Sequence, residues 1–179
     1  MNPSDLIRKA IVRIGNLDAY TDLRIARRKP VWLPTTMEAL EADERTLGFA
    51  LPASLKALYT EVGNGGLGPG YGLIGMSEGS PDDTSRTAPE IYASFREPGH
   101  SKWLWEWPTG LLPICHWGCG IYSCIDCTTP AYPMRLFDPN VLSLEYALSD
   151  EGCSFDKWIC DWVDGVDLWE RASNAESLR

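Results

Sequence analysis

The sequence predicts a single α+β domain, and three observations carry that expectation. The chain has 179 residues, 44% of them hydrophobic and 23% charged, which is one domain's length and ordinary globular composition. Helical spacing of apolar residues dominates the first half, and no internal repeat or linker divides the chain into two cores. From Leu111 onward, short apolar runs alternate with turn residues, and a strongly amphipathic segment closes the pattern.

Residues 4–27 read as one or two helices. Leu6, Ile7, Ile11 and Ile14 recur at helical spacing, Gly15-Asn16 breaks or bends the run, and Pro30 stops it. Thr35-Thr36-Met37-Glu38 reads as a capping box with Thr35 as the cap. That helix runs through Leu40 and Leu47 to a left-handed stop at Gly48. Pro52 suits the first turn of the next helix, in which Leu55, Leu58, Tyr59 and Val62 share one face. Gly63-Asn64-Gly65-Gly66 ends it, because asparagine and glycine accept positive φ at little cost.

A short strand is expected near Tyr71–Ile74, then a polar loop over 77–88 and a short helix over 89–96. Trp103, Trp105 and Trp107 alternate with Leu104 and Glu106, which fits a strand with three indoles on one face or a short helix. Residues 111–115, 120–126 and 134–137 read as strands of an antiparallel meander. Phe155, Trp158, Ile159, Trp162, Val166 and Trp169 lie at helical spacing behind Ser154 as N-cap, and Gly165 is where that helix is expected to end. The expected organisation is a helical extension over 1–30, a domain over 31–171 and a tail over 172–179.

Net charge is −9, unevenly spread: residues 1–30 carry +4, residues 31–144 carry −7 and residues 145–179 carry −6. An acidic body repels phosphate backbones, so nucleic acid is not the expected ligand. It would steer a basic protein toward itself. No apolar run reaches the ~18 residues of a membrane span. Met1–Leu6 lacks the basic start and apolar core of a signal peptide, so the expected location is cytoplasmic and the six cysteines are expected as free thiols.

The densest ligand cluster is Cys115-His116-Trp117-Gly118-Cys119 with Cys124-Ile125-Asp126-Cys127. Structural zinc usually joins two separated Cys-x-x-Cys turns, and only one such pair occurs here, within a predicted strand. Redox pairs usually open a helix, and here Thr128-Thr129-Pro130 follows instead. Small buried thiols are the expected reading, with zinc as the rival, and no cofactor is called for. Gly63–Gly72 lacks both the nucleotide fingerprint and the Walker lysine. The chain has two histidines, His100 and His116, and no nucleophile-elbow or zinc-protease motif, so the expectation is a protein without catalysis.

Met37-Glu38-x-x-Glu41, Leu47-Gly48-Phe49-x-Leu51-Pro52, Leu58-Tyr59 and Asn64-Gly65-Gly66 together resemble the N-terminal signature of the SUKH superfamily. Leu112-Pro113-Ile114-x-x-Trp117-Gly118-Cys119-Gly120 and Ile125-Asp126 resemble its central strands, and Phe155-x-x-Trp158-Ile159-x-x-Trp162-x-x-Gly165 its terminal helix. The resemblance covers about residues 32–166. That superfamily includes the Smi–Knr group of fungal cell-wall regulators and many bacterial immunity proteins. It implies helices packed on a largely antiparallel sheet, no catalysis, and a cognate secreted toxin, often a nuclease, as partner. Its motif positions, here Leu51, Pro52, Tyr59, Asn64, Gly65, Gly66, Trp117, Gly118 and Trp158, are structural.

Loop position, charge and aromatic density place the expected contact surface at Asp82, Asp83, Glu97, Trp103, Trp105, Glu106 and Trp107. Burial is the commoner fate of such indoles, whereas an exposed set would anchor a partner. The alternative reading is a regulatory scaffold of the cell-wall-regulator type, or a zinc- or thiol-binding protein.

Overall fold

A computed structural model describes residues 2–16, 31–97, 106–142 and 146–171. It is an α+β fold with helices on a four-stranded antiparallel sheet. The expected strand or helix at 103–107 lies largely outside the described residues; residues 17–30, which hold the basic side chains Arg24, Arg27, Arg28 and Lys29, and His100 lie wholly outside them.

Helix α1 (Pro3–Gly15) starts at Asn2, whose side chain accepts from the Ser4 amide, with Pro3 supplying the preset first turn. It buries Leu6, Ile7 and Ala10 in the same core as the rest of the domain. Helix α2 (Met37–Leu47) is capped by Thr36, not by the expected Thr35. The Thr35 amide instead donates to the Tyr59 carbonyl, which leaves its neighbour to turn the chain. Gly48 ends α2 at φ 82°, as its position predicts.

Helix α3 (Ala53–Glu61) begins one residue after Pro52, which stands as an extended N-cap rather than inside the first turn. Its face buries Leu55, Leu58 and Tyr59. The Tyr59 hydroxyl donates to the Ile74 carbonyl at 2.6 Å, so the helix holds the glycine-rich segment that follows it. Asn64 completes that clamp: its side chain accepts from the Met76 amide at 2.9 Å and donates to the Ser77 carbonyl at 3.1 Å. Gly75 must be glycine there, because a Cβ would collide with the Asn64 carbonyl and the Ser80 amide.

Helix α4 (Ala88–Arg96) carries a full capping box between Thr87 and Glu90. The sheet order is β1 (Leu111–Gly118), β2 (Ile121–Asp126), β3 (Pro133–Phe137), β4 (Leu148–Ser154). Residues expected as a strand at Tyr71–Ile74 form only an isolated bridge, Leu73 with Cys115. They nonetheless lie along the outer edge of β1, with the Tyr71 amide donating to His116 and the Ile74 amide to Ile114. Strand β4 forms the opposite edge; Gly152 at φ 70° and a register shift bend it.

Side chains alternate across this sheet. Tyr122 and Phe137 pair across strands and meet Phe95 of α4 at 5.8 and 5.9 Å. Their neighbours Ser123 and Leu136 therefore face the other way, toward helix α5 (Phe155–Val163). Helix α5 starts at Ser154 and stops before Gly165, so Val166 and Trp169 do not continue its apolar face. Val166 is exposed, and the Trp169 ring meets Trp117 instead. Among the described residues no helix is long and apolar enough to cross a membrane.

Candidate functional site

The loop between α3 and α4 is held from three sides. Asp43 of α2, itself buried, accepts from the Ser77 amide at its start. Asn64 clamps residues 76–77, and the capping box fixes its end. At its centre Asp82 is buried and accepts four hydrogen bonds. One oxygen takes the Thr84 amide at 2.8 Å, the Thr84 hydroxyl at 2.7 Å and the Arg86 amide at 3.1 Å; the other takes the Tyr122 hydroxyl at 2.9 Å.

Burial pushes the Asp82 carboxyl up, but the donors from Thr84, Arg86 and Tyr122 outweigh it and hold the group below its usual range. Burial and the Asp82 carboxylate together push the Tyr122 phenol up, which keeps it a donor. Ser85 adopts φ 65° and Glu78 φ 60°, so the loop's shape is specific rather than generic.

Asp83 stands next to this hub with its side chain 57% exposed, 3.5 Å from Nδ1 of the buried His116. The His116 ring lies between Tyr71, at 5.6 Å, and Tyr122, at 4.9 Å. An outward carboxylate and a half-exposed phenol thus flank one buried imidazole, on backbone that hydrogen bonds hold in place.

The expected contact residues separate on this geometry. Asp83, Glu97 and Glu106 are exposed. Asp82 is corrected from a contact residue to the loop's internal acceptor, because four donors have drawn it inside. Trp107 is corrected likewise: it packs against Phe95 and Phe137, and its indole donates to the Leu111 carbonyl at 2.7 Å. Trp103 and Trp105 lie outside the described residues.

The thiol-rich hairpin does not converge on a point. Cys115 and His116 are strand neighbours and face opposite ways. The Cys115 thiol reaches the Pro69 carbonyl, Cys124 is fully buried, and Cys119 is exposed in the β1–β2 turn at φ 52°. Burial pushes Cys124 well up, and Cys127 up to about 12. Among the described residues no three His, Cys, Asp or Glu side chains are placed to hold a metal ion. An open hollow of about 470 Å³ beside Glu41, Arg45 and Phe49 lies at the end of α2, where Glu44 is already engaged by the Leu51 amide and Lys56.

The opposite sheet face holds a buried carboxylate that the sequence reading missed. Glu151 accepts from the Trp158 indole at 2.8 Å, and Ser123, which takes the Trp117 indole, lies within reach of it. Burial raises the Glu151 carboxyl despite Ser123, Trp158 and Arg171. The signal available was Trp158 itself, since a buried indole needs an acceptor.

Leu51 is buried, Gly65 and Gly66 take φ 89° and 81°, and Gly118 takes φ 95° beside the Tyr71 ring.

A comparison with protein families matches residues 34–160 to the SMI1 / KNR4 family (SUKH-1). The chain belongs to this family. The matched span runs from the entry to α2 through most of α5, so it contains the braced loop and the whole sheet. Helix α1 lies outside it yet shares its core. No curated protein matches the chain.

Proposed function

We propose that this SUKH-1 chain is an immunity protein that binds and neutralises a cognate secreted toxin, acting by occlusion rather than by chemistry. The observation that carries the reading is the family match over residues 34–160, since proteins of this kind are commonly immunity proteins against toxins. Charge and geometry support it. A body at −7 over residues 31–144 and −6 over residues 145–179 favours a basic partner, such as a nuclease domain. A loop already fixed by Asp82 loses little freedom on binding, so its exposed carboxylate is presented at low entropic cost. The site of action in this reading is the cytoplasm of the producing cell or its kin, in competition between cells.

The test is survival. Toxin domains encoded beside this gene are expressed with and without the chain, and the chain should rescue growth and co-purify with one of them at defined stoichiometry. Rescue of none, or rescue without a complex, would remove the reading. The scaffold alternative predicts instead a complex with an endogenous enzyme and no rescue.

A further inference from the structure

We infer that the toxin docks on one end of the sheet, where Tyr71, Asp83, Leu142 and Tyr146 surround the β1–β2 turn; this rests on the immunity reading above. Five contacts build this end. The Tyr71 amide donates to the His116 carbonyl at 3.0 Å, and its ring lies against Gly118. The Asn140 side chain donates to the Cys119 carbonyl at 3.1 Å, tying the β3–β4 loop to the β1–β2 turn. Pro139 lies against Gly120 from the same side. The Asp138 amide donates to the Ala147 carbonyl at 2.8 Å and closes that loop, carrying Leu142 and Tyr146 on it.

Three of the exposed large hydrophobic side chains stand at this end, while Trp32, Leu33 and Met37 are exposed elsewhere. Leu142 is fully exposed, Tyr146 is 66% exposed and Tyr71 38%. On the sheet itself the rings of Tyr122 and Phe137 are buried and Trp117 is partly buried. Single exposed apolar residues need no explanation, but three on turns at the sheet end where Asp83 meets His116 make an anchor set. Tyrosine adds contact area at low entropic cost, and the turns beneath are already pinned.

Charge selects the occupant. Asp83 is an outward charge here, and the nearby Arg86 guanidinium is spent on Thr84 and Ser94. A second copy of a chain at −9 would meet like charge here. The partner that fits is a basic protein surface that sets an arginine or lysine on Asp83, its cation over the Tyr71 ring, with an apolar rim against Leu142 and Tyr146.

The experiment uses the full chain and a catalytically inactive form of the toxin domain against which it protects. Asp83→Lys should lower the association rate about tenfold and flatten its salt dependence. Tyr146→Ala and Tyr71→Ala should each speed dissociation by roughly tenfold or more. Cys119, exposed within the patch, gives a readout that needs no substitution: its alkylation by a maleimide should slow at least fivefold in the saturated complex. Affinities within twofold of the parent in all three variants, or Cys119 alkylation unchanged in the complex, would overturn this surface while the rescue result keeps the immunity reading. Absence of any rescue would overturn both.

Discussion

Replacing Asp82 by alanine removes the acceptor of four hydrogen bonds at once. The Thr84 groups lie in exposed loop and can turn to water, so their loss costs little. The Tyr122 hydroxyl is buried and cannot, and leaving it unpaired costs ~1–3 kcal/mol. With the lost Arg86 amide contact and the loosened loop, the whole change comes to about 3 kcal/mol. In a chain of this length that lowers the melting temperature by roughly 6–12 °C. Tyr122→Phe removes one donor from a carboxylate that keeps the others, so it should cost about 1 kcal/mol. The double variant should cost about 3 kcal/mol, not 4, because one contact is counted in both single variants.

Urea unfolding of the four proteins measures this cycle. The pH dependence has a fixed sign. A carboxyl held below its usual range stabilises the fold above the unfolded value of ~3.9 and loses that contribution as pH falls through the folded value. The Asp82→Ala deficit should therefore shrink in acid. A deficit under about 0.5 kcal/mol at pH 7, or single costs that simply add, would refute the picture of Asp82 as the loop's hub.

Glu151 carries the opposite sign. Its carboxyl is raised by burial, so its protonated form suits the fold, and stability falls as pH rises above the unfolded value of ~4.3. Glu151→Gln should stabilise at pH 8 and be near neutral at pH 4, as read by chemical denaturation; equal effects at both would refute the burial argument. Gly75→Ala should cost more than about 3 kcal/mol, because backbone atoms on both sides block the new methyl, and a thermal melt will show it. Thiol titration with a disulfide reagent should proceed in order: Cys119 first, then Cys153 and Cys160, with Cys115, Cys124 and Cys127 reacting only on unfolding. Fast native reaction of Cys124 would mean the hairpin opens.

The helix boundaries were legible because their signals are local. Gly48, Ser154 and Gly165 act through their own backbone or the next turn, and each stands where its chemistry placed it. Thr36 displaced Thr35 as a cap because a long-range bond to Tyr59 claimed the earlier residue, and no local pattern contains that bond. Strand β4 was missed for a related reason. Asp150-Glu151-Gly152 has the composition of a turn, but Glu151 faces inward to serve Trp158 and Gly152 supplies the bend of an edge.

In the candidate site, sequence placed acids in a loop and stopped there. Whether such an acid faces water or the interior depends on donors far along the chain: Tyr122 lies forty residues from Asp82. Period two put Trp107 on a face without saying which, and Phe95 and Phe137 decided it. The end-of-sheet surface was invisible for the same reason, since Asn140 joins turns whose residues share no motif.

The run Tyr71–Ile74 along β1 has a further consequence. A sheet with two bare sides can polymerise by strand addition, a hazard for any protein kept in readiness at high local concentration. Here one side is roofed by the chain's own backbone, and the other is crooked at Gly152 and bears Asp150, exposed and paired with Arg135. Neither side is left as a long, flat template for strand addition.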